Sequence, residues 1–365
     1  MKICIITMIS DNYGNRLQNY ALQEVLKDLG HVVETIHNPW RKKYNISLEK
    51  WKFIIKKIIF YITKRPKRFK RKLNFEKFND ENICFSRYWI NKKRDRIKAN
   101  KFYDLFVCGS DQIWNSEAEK IDGKYFADFA DRKKRVSYAA SFGIEYIVDE
   151  RKKEFKKYLS EMKKISVREQ TGSEIVDALI NQRPECHIDP TLLLSKNKWD
   201  FIADKYKKPC EKYLFCYFLG KPTERILNFL NEYKKKNEKL NILSIWNRED
   251  ETHNNVGPGE FLGLIKNAEF ILTDSFHGTV FSIIYHKPFY TFSRTGVKES
   301  MDTRVVSLLK LLELTDRFEP ENITLDGVEK IDFGKSKIIL DREKKRAIEY
   351  IEGISNKLSP LSRTF

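Results

Sequence analysis

The chain of 365 residues is too long for one small hydrophobic core, and it predicts two domains of about 150 to 200 residues each. Its content of 41% hydrophobic and 13% aromatic residues excludes a disordered protein. The net charge of +18 comes mostly from residues 41 to 72, which hold 14 Lys or Arg and one Glu, so the basic character is local. The six cysteines are scattered and form no CxxC pair, which indicates reduced core residues in a cytoplasmic protein, and neither a membrane-spanning apolar segment nor a secretory signal is visible.

The N-terminal stretch predicts a strand, a helix and a second strand. Apolar residues from Lys2 to Met8 form the first strand, helical spacing extends from about Arg16 to Leu29, and His31 to Ile36 form the second strand. The polar turn between the first strand and the helix holds Gly14 and Asn15, where an open α/β sheet binds its ligand. The turn has no GxGxxG pattern, so we expect no nicotinamide cofactor.

A basic helical insertion interrupts this order over about residues 40 to 100. Apolar residues from Ile46 to Ile62 share one helix face, with lysines interleaved, and the basic run Lys64 to Lys72 follows. Such a segment either lies on an anionic membrane surface through residues 41 to 72 or forms an ordinary helical hairpin with a solvated basic face. It contains no nucleic-acid recognition motif, so we expect no nucleic-acid partner.

Three further strands of the first domain end in polar turns. We predict these strands at Tyr103–Cys108, Arg135–Ala140 and Ile165–Val167. The residues that follow them and could contact a substrate are Ser110, Asp111, Gln112, Asn115, Ser141 and Arg168. Because the carboxyl ends of parallel strands share one sheet edge, these turns and the turn at Gly14 are expected to face a common cleft. Glu169 and Asp189 are expected to support this site rather than to contact substrate.

The second domain contains the stretch that most resembles an active site. A short apolar strand from Phe270 to Thr273 leads into a polar turn and then into an apolar helix that starts near Thr279. Free N–H groups and the helix dipole favour an anion at such a turn, and an imidazole there can transfer a proton. The candidate residues are Asp274, Ser275, His277, Gly278 and Thr279. The alternative is that Asp274 or Ser275 only caps the helix and His277 is a structural residue.

Three segments divide the chain in this interpretation. Residues 1–205 form an N-terminal Rossmann-like domain that includes the insertion, and residues 206–335 form a C-terminal Rossmann-like domain. A last helix in residues 336–365 is expected to pack back on the first domain. Arg304, near the start of an amphipathic helix, is a further candidate for substrate binding.

Six sequence blocks, in order, are similar to those of the polysaccharide pyruvyl transferase family. The blocks are NRLQNYAL at 15–22, GSDQIWN at 109–115, SYAASFG at 137–143, SVRE at 166–169, DPTLL at 189–193 and TDSFHG at 273–278. The resemblance implies two Rossmann-like domains in a GT-B-like arrangement with the active site in a central cleft. It also implies transfer of a pyruvyl group from phosphoenolpyruvate to a sugar diol, which gives a cyclic ketal and free phosphate.

The resemblance assigns roles to two residues, and the chemistry it implies needs a base as well. The family histidine falls on His277, which would protonate the methylene carbon as general acid or assist departure of phosphate, and its substrate-binding arginine falls on Arg168. Asp111 or Asp274 would accept a proton from the sugar hydroxyl. The family's further basic residue before the histidine has no counterpart here, where Ser275 and Phe276 stand.

Two other hypotheses remain open at this point. The first keeps the fold and makes the protein a GT-B glycosyltransferase that uses a nucleotide sugar. The second is a non-catalytic protein that binds nucleic acid or membrane through the basic segment. We expect no metal and no cofactor besides phosphoenolpyruvate as donor substrate. The acceptor would be a saccharide of a surface polysaccharide or its lipid-linked precursor, which would place the enzyme at the inner face of the membrane. The oligomeric state is not predicted.

Overall fold

The computed structural model describes residues 1–36, 66–115, 122–205, 212–236, 241–246, 255–297, 302–323 and 331–355. Over these residues the chain forms two parallel sheets of four strands and one of two strands. The strands are β1 (Lys2–Ile6), β2 (Val32–Thr35), β3 (Leu105–Cys108), β4 (Arg135–Ser137), β5 (Ser166–Val167), β6 (Glu185–Cys186), β7 (Tyr213–Phe218), β8 (Asn241–Trp246), β9 (Phe270–Thr273) and β10 (Phe289–Thr291). The helices are α1 (Tyr13–Asp28), α2 (Pro66–Asn82), α3 (Lys93–Phe102), α4 (Asp149–Ser160), α5 (Gln170–Ile180), α6 (Lys196–Ala203), α7 (Glu224–Lys236), α8 (Pro258–Asn267), α9 (Phe276–Ile284), α10 (Thr303–Leu311) and α11 (Phe333–Ser355).

The first sheet has the strand order β2-β1-β3-β4, and all of its pairs are parallel. Ile3 of β1 lies opposite both Val33 and Leu105. A parallel bridge between Ala140 and Val167 places β5 beside the end of β4. The chain goes from β1 to β2 on one side and later returns to β3 on the other side. The crevice beyond the carboxyl ends of β1 and β3 is therefore the switch point where open α/β sheets bind ligands.

The second sheet repeats this design with the strand order β10-β9-β7-β8. Cys216 of the central strand β7 lies opposite Ser244 on one side and Leu272 on the other. Each residue of β7 is buried, as expected for an apolar strand covered on both faces. The switch point of this sheet lies beyond the carboxyl ends of β7 and β9.

The two sheets meet through an apolar contact between α1 and the helices α8 and α9. The ring of Tyr13 stacks on that of Phe261 with centroids 4.4 Å apart and planes inclined by 2°. The Tyr13 hydroxyl donates to the carbonyl oxygen of Val256 at 3.0 Å. Aromatic stacking and burial of this kind fix how the carboxyl edges of the two sheets face each other.

Two helices begin earlier than their sequence pattern predicts. Helix α1 starts at Tyr13 rather than Arg16, because the Asn12 side chain accepts a hydrogen bond from the Asn15 N–H and caps the helix. Helix α9 starts at Phe276 rather than near Thr279, because Ser275 caps it in the same way. Gly14, Asn15, His277 and Gly278 therefore lie in first helical turns and not in loops.

Helix α11 starts at Phe333, just before the segment 336–365 in which the last helix is predicted, and its first turns are anchored. The buried Ser336 hydroxyl donates to the carbonyl oxygen of Leu312 at 2.8 Å. Further along, the Tyr350 hydroxyl donates to the carbonyl oxygen of Ser137 at 3.0 Å, so the helix contacts the first sheet. Residues 206–211 lie outside the described residues, and the predicted domain limits therefore stay predictions.

The predicted basic helix from Ile46 to Ile62 also lies outside the described residues. The end of the basic run continues into α2, whose residues Phe75 and Phe78 are buried in the core. None of the helices over the described residues is long and apolar enough to cross a membrane.

Candidate active site

Arg168 and Asp189 form a buried ion pair at the edge of the first sheet. Arg168 follows β5 and Asp189 follows β6, and the guanidinium Nη1 donates to the Asp189 Oδ2 at 2.7 Å. The side chains are 2% and 0% exposed. Asp189 also accepts hydrogen bonds from the Ser110 hydroxyl at 3.0 Å and from the Thr191 N–H and hydroxyl at 3.0 and 2.7 Å. These contacts hold the carboxylate in one orientation.

Asp189 remains ionised because of the charges around it. Burial opposes its ionisation, but the positive charges of His277 and Arg168 and the hydrogen bond from Thr191 hold the pKa of Asp189 well below its ordinary value. The sequence analysis expected Asp189 only to support the site, yet it is the carboxylate nearest His277. The signal that could have found it is its position in a polar turn directly after a strand, like the other candidates.

His277 reaches across from the second domain to this carboxylate. Its Nε2 lies 3.6 Å from the Asp189 Oδ2, and the side chain is 7% exposed. Its Nδ1 faces Gly14 so closely that a Cβ atom on Gly14 would overlap the imidazole ring. Gly14 is therefore needed for close approach of the two domains and not for backbone conformation. Asp189 and His277 form a carboxylate–imidazole pair, an arrangement that positions a proton-transferring group.

Two guanidinium groups flank the ring of Phe276, the residue before His277. The guanidinium carbon of Arg168 lies 4.5 Å from the ring centroid and that of Arg304 lies 5.7 Å from it. Three buried nitrogens of these side chains, Nε and Nη2 of Arg168 and Nε of Arg304, have no hydrogen-bond partner among the described residues. Burial and the charge of Arg168 lower the pKa of Arg304 to about 10, so it stays cationic at neutral pH. The arrangement presents unused donors to an anion.

Asp111 is the second carboxylate of the site. Its Oδ2 accepts a hydrogen bond from the Asn15 side chain at 3.0 Å, and its Oδ1 lies 3.9 Å from Nη2 of Arg168. Burial opposes ionisation, but the charges of Arg168, His277 and Arg304 lower the pKa of Asp111 below its ordinary value. Asp111 is thus an anion that can accept a proton.

Other predicted residues hold the loops of this site in place. The Ser141 hydroxyl donates to Glu169 Oε1 at 3.0 Å, and the same oxygen accepts the N–H of Gly143 at 3.0 Å. The side-chain amide of Gln112 packs against Gly143, and the Asn115 N–H donates to the carbonyl oxygen of Gln112 at 3.4 Å. These polar groups therefore hold the loops around Asp111 in place through hydrogen bonds and contacts with one another.

The polar side chains in the turn before α9 and in its first turn bind to neighbouring backbone and hydroxyl groups. Ser275 caps the helix, and a Cβ atom on Gly278 would overlap the Thr273 hydroxyl. The Thr279 hydroxyl lies within 2.7 Å of the Thr291 hydroxyl and donates to the carbonyl oxygen of Ser275 at 3.1 Å. The polar side chains of Ser275 and Thr279 are thus engaged in the fold.

Asp274 does not join His277, contrary to the sequence expectation that it could serve as a base. Its carboxylate oxygens each accept a backbone N–H at 2.7 Å, one from Leu219 and one from Gly220. Burial raises the pKa of Asp274 above its ordinary value, although these hydrogen bonds and Arg294 oppose the rise. Asp274 therefore binds the backbone of the loop after β7, whereas His277 of the same turn faces Asp189.

A cavity of about 1000 Å³ lies beside the site, at the switch point of the second sheet. Its walls come from the loops after β1, β7 and β10 and from α2. Four cationic side chains line it, namely Arg71, Lys72, Lys221 and Arg294. The cavity could not be predicted from the sequence, because its walls come from segments far apart in the chain.

No group of three or more His, Cys, Asp or Glu side chains that could hold a metal ion occurs in the described part of the chain.

Solved structures with a similar fold include a wall teichoic acid polymerase and a UDP-GlcNAc 2-epimerase. The H444N variant of the wall teichoic acid polymerase TagF has a TM-score of 0.51 at 12% identity, over 97% of this chain and 87% of that chain. Its H548A variant has a TM-score of 0.50 at 12% identity, over 97% and 88%. The UDP-GlcNAc 2-epimerase of Methanocaldococcus jannaschii has a TM-score of 0.49 at 14% identity, over 97% and 100%. No curated protein sequence matches the chain significantly.

These likenesses show the fold alone. Two parallel sheets with facing carboxyl edges and a polar site between them define a two-domain α/β protein of the GT-B type. The family model for polysaccharide pyruvyl transferase matches residues 12–296, most of the chain. The protein belongs to the polysaccharide pyruvyl transferase family and is thereby a transferase.

Proposed function

We propose that the protein transfers a pyruvyl group from phosphoenolpyruvate to two hydroxyls of a sugar in a surface polysaccharide or its lipid-linked precursor. The observation that carries this proposal is the set of unused, buried guanidinium nitrogens of Arg168 and Arg304 beside His277. A small acid with a carboxylate and a phosphate would supply acceptors for these donors.

The donor would bind first to the two guanidinium groups. Arg168 is fixed by Asp189, so its remaining N–H groups keep one direction, and Arg304 also lies against the ring of Phe276. The N-terminal turn of α9 adds the positive end of a helix dipole. Binding in this buried site excludes water and strengthens the electrostatic contacts.

The reaction requires one proton on the methylene carbon of phosphoenolpyruvate. We assign its delivery to His277, whose imidazolium form Asp189 would stabilise at 3.6 Å. Two sugar hydroxyls then form two C–O bonds to the central carbon, and the bond from that carbon to the phosphate oxygen breaks. The hydroxyls release two protons: Asp111 accepts one of them, and the departing phosphate carries the other. One proton enters the new methyl group, and return of the proton from Asp111 to His277 restores both groups, so that atoms and charges balance over the cycle.

The basic segment 41–72 fits a protein that works near a membrane-bound acceptor. Its basic residues other than Arg71 and Lys72, which line the cavity, would attract anionic lipid headgroups. Under this proposal the enzyme acts in the cytoplasm, at the inner face of the membrane.

A glycosyltransferase that uses a nucleotide sugar is the second candidate. It is favoured by the cationic cavity at the switch point of the second sheet, since nucleotides bind at such points in open α/β sheets. The two candidates differ in whether phosphoenolpyruvate binds at all.

Thermal unfolding with and without millimolar phosphoenolpyruvate tests the donor. A ligand that binds only the folded state stabilises it by about 2.7 kcal/mol at a hundredfold excess over its dissociation constant. We expect phosphoenolpyruvate to raise the unfolding temperature of the wild type and to have no effect on Arg168→Ala.

Arg135→Ala is the matched control for loss of a buried arginine. The Arg135 side chain is 8% exposed and pairs with Glu161 at 2.7 Å, but it lies at the start of β4, away from the carboxyl edge. This variant should be destabilised and should keep the shift with phosphoenolpyruvate. A wild type that responds to nucleoside diphosphates and not to phosphoenolpyruvate would refute the proposed donor.

A further inference from the structure

The cavity beside the site is built to hold an anion. Arg71, Lys72, Lys221 and Arg294 line it, whereas Asp11 is the acidic residue in its lining. Facing loops from both domains thus bring four positive charges and one negative charge to one space. Such a cavity concentrates anions through the summed field of its walls.

The cationic walls are held in place by contacts of their own. The Arg71 guanidinium lies 4.8 Å from the ring centroid of Tyr13, and its Nη2 donates to the carbonyl oxygen of Asp11 at 2.9 Å. The Lys221 N–H donates to the Thr295 hydroxyl at 2.9 Å, and that hydroxyl donates back to the Lys221 carbonyl oxygen at 2.7 Å. The loops after β7 and β10 are therefore joined, and Lys221 is carried on a fixed backbone.

The size of the cavity exceeds what the proposed donor needs. Its volume of about 1000 Å³ is at the upper end of the range of roughly 300 to 1,000 Å³ in which proteins bind drug-sized ligands, whereas phosphoenolpyruvate has three carbons. The cavity lies next to the site, since Tyr13 in its wall precedes Gly14, which contacts His277. Arg294 in its wall lies 3.9 Å from Asp274, three residues before His277.

We propose that this cavity binds the diphosphate of a glycosyl diphosphate, so that the attached sugar extends toward His277 as the acceptor. This inference rests on the proposed function, because it assigns the cavity to the acceptor and the guanidinium pair to the donor. Two classes of substrate carry such a diphosphate, namely nucleoside diphosphate sugars and polyprenyl diphosphate sugars. The arginine and lysine side chains of the cavity can donate charge-assisted hydrogen bonds to the diphosphate oxygens.

Calorimetric titration of the full chain with three probes tests this assignment. The probes are inorganic diphosphate for the shared chemistry, UDP for the nucleotide source and farnesyl diphosphate for the lipid source. We expect the wild type to bind inorganic diphosphate and at least one of the other two. Lys221→Glu should weaken this binding by roughly tenfold or more, since an attractive charge becomes repulsive. The stronger of the two organic probes identifies the source.

Lys345→Glu is the matched control. It makes the same change in net charge at an exposed position within α11, and Lys345 does not line the cavity. It should leave the dissociation constants within about twofold, because water and salt screen an exposed charge that does not line the cavity.

Phosphoenolpyruvate, titrated into the same three proteins, separates the failure of this inference from that of the proposed function. If phosphoenolpyruvate binds but no diphosphate does, or if Lys221→Glu binds diphosphate as the wild type does, the cavity assignment is wrong and the donor proposal stands. If diphosphate binds in a manner sensitive to Lys221→Glu but phosphoenolpyruvate does not bind, both the donor proposal and the acceptor assignment are overturned.

Discussion

Two arginine–aspartate pairs mark the two sides of the cleft, and they differ in burial and distance. At the first sheet, Arg168 and Asp189 meet at 2.7 Å with side chains 2% and 0% exposed. At the second sheet, Arg294 lies 3.9 Å from Asp274 and its side chain is 18% exposed. The first pair is buried and therefore interacts in a low dielectric, whereas water and salt screen the charge of the more exposed Arg294 in the second pair.

This difference suits two different tasks. A buried and fully oriented cluster can direct charge at a reacting atom without reorganisation. A wider cavity lined by Arg71, Lys221 and Arg294 suits recognition of a larger, charged substrate part. The two regions meet at α1, where Tyr13 lines the cavity and Gly14 contacts His277.

Removal of Asp189 should have the largest effect on stability. Asp189→Ala leaves the buried guanidinium of Arg168 without its ion-pair partner, and such losses cost about 3 to 5 kcal/mol. Urea titration would measure the free energy of unfolding. Asp200→Ala is the control, since Asp200 pairs with Lys266 at 2.9 Å but is 22% exposed, and it should lose no more than about 1 kcal/mol. Equal losses in both variants would contradict the contrast between buried and exposed pairs.

A methyl group at Gly14 should disturb the contact between the two regions. Gly14→Ala places a Cβ atom against the His277 ring, so either the imidazole rotates away from Asp189 or the domains separate. We expect a loss of about 1 to 3 kcal/mol, as for other overpacked sites, together with loss of transferase activity. Urea titration measures the loss of stability, and an assay for transfer of the pyruvyl group to the acceptor measures the loss of activity.

Gly353→Ala provides the matched control for this substitution. Gly353 lies in α11 with no heavy atom within 4 Å of an added Cβ atom, so alanine should stabilise the helix by about 0.5 to 1 kcal/mol. A Gly14→Ala protein as stable and active as the wild type would show that the close approach of Gly14 and His277 is not required.

The sheet edges and their polar turns were predictable from the sequence, because their signals are local. Short apolar runs predict the strands, and the residues at Gly14, Asp111, Arg168 and His277 follow them directly. The GT-B type of fold was confirmed, and it came from the family resemblance of six ordered blocks. The strand order then brings the turns of one sheet together.

The pairing across the cleft could not be predicted, because it depends on how two domains approach. The sequence placed Asp274 in the same turn as His277 as a candidate base, whereas the carboxylate beside the imidazole is Asp189 of the other domain. Arg71 belonged to a run interpreted as a membrane-binding segment, but α2 carries its side chain to the cavity. Contacts between residues far apart in the chain leave no periodic pattern in either segment.

The smallest predicted effect concerns the pH dependence of stability, where Asp189 and Asp274 should act in opposite directions. The pKa of Asp189 is lowered in the folded state, so its stabilisation is present above the unfolded value of about 3.9 and is lost as pH falls toward the folded pKa. The pKa of Asp274 is raised, so stability falls as pH rises from about 3.9 through the folded pKa.

Asp189→Asn and Asp274→Asn remove these contributions one at a time. Each titrating proton changes the free energy of unfolding by up to about 1.4 kcal/mol per pH unit. Urea titrations between about pH 3 and 6 should show that Asp189→Asn loses less stability on acidification than the wild type. Asp274→Asn should instead gain stability relative to the wild type as pH rises. Difference curves of the same sign for both variants would mean that the two carboxylates do not have the contrasting environments described for the two sides of the cleft.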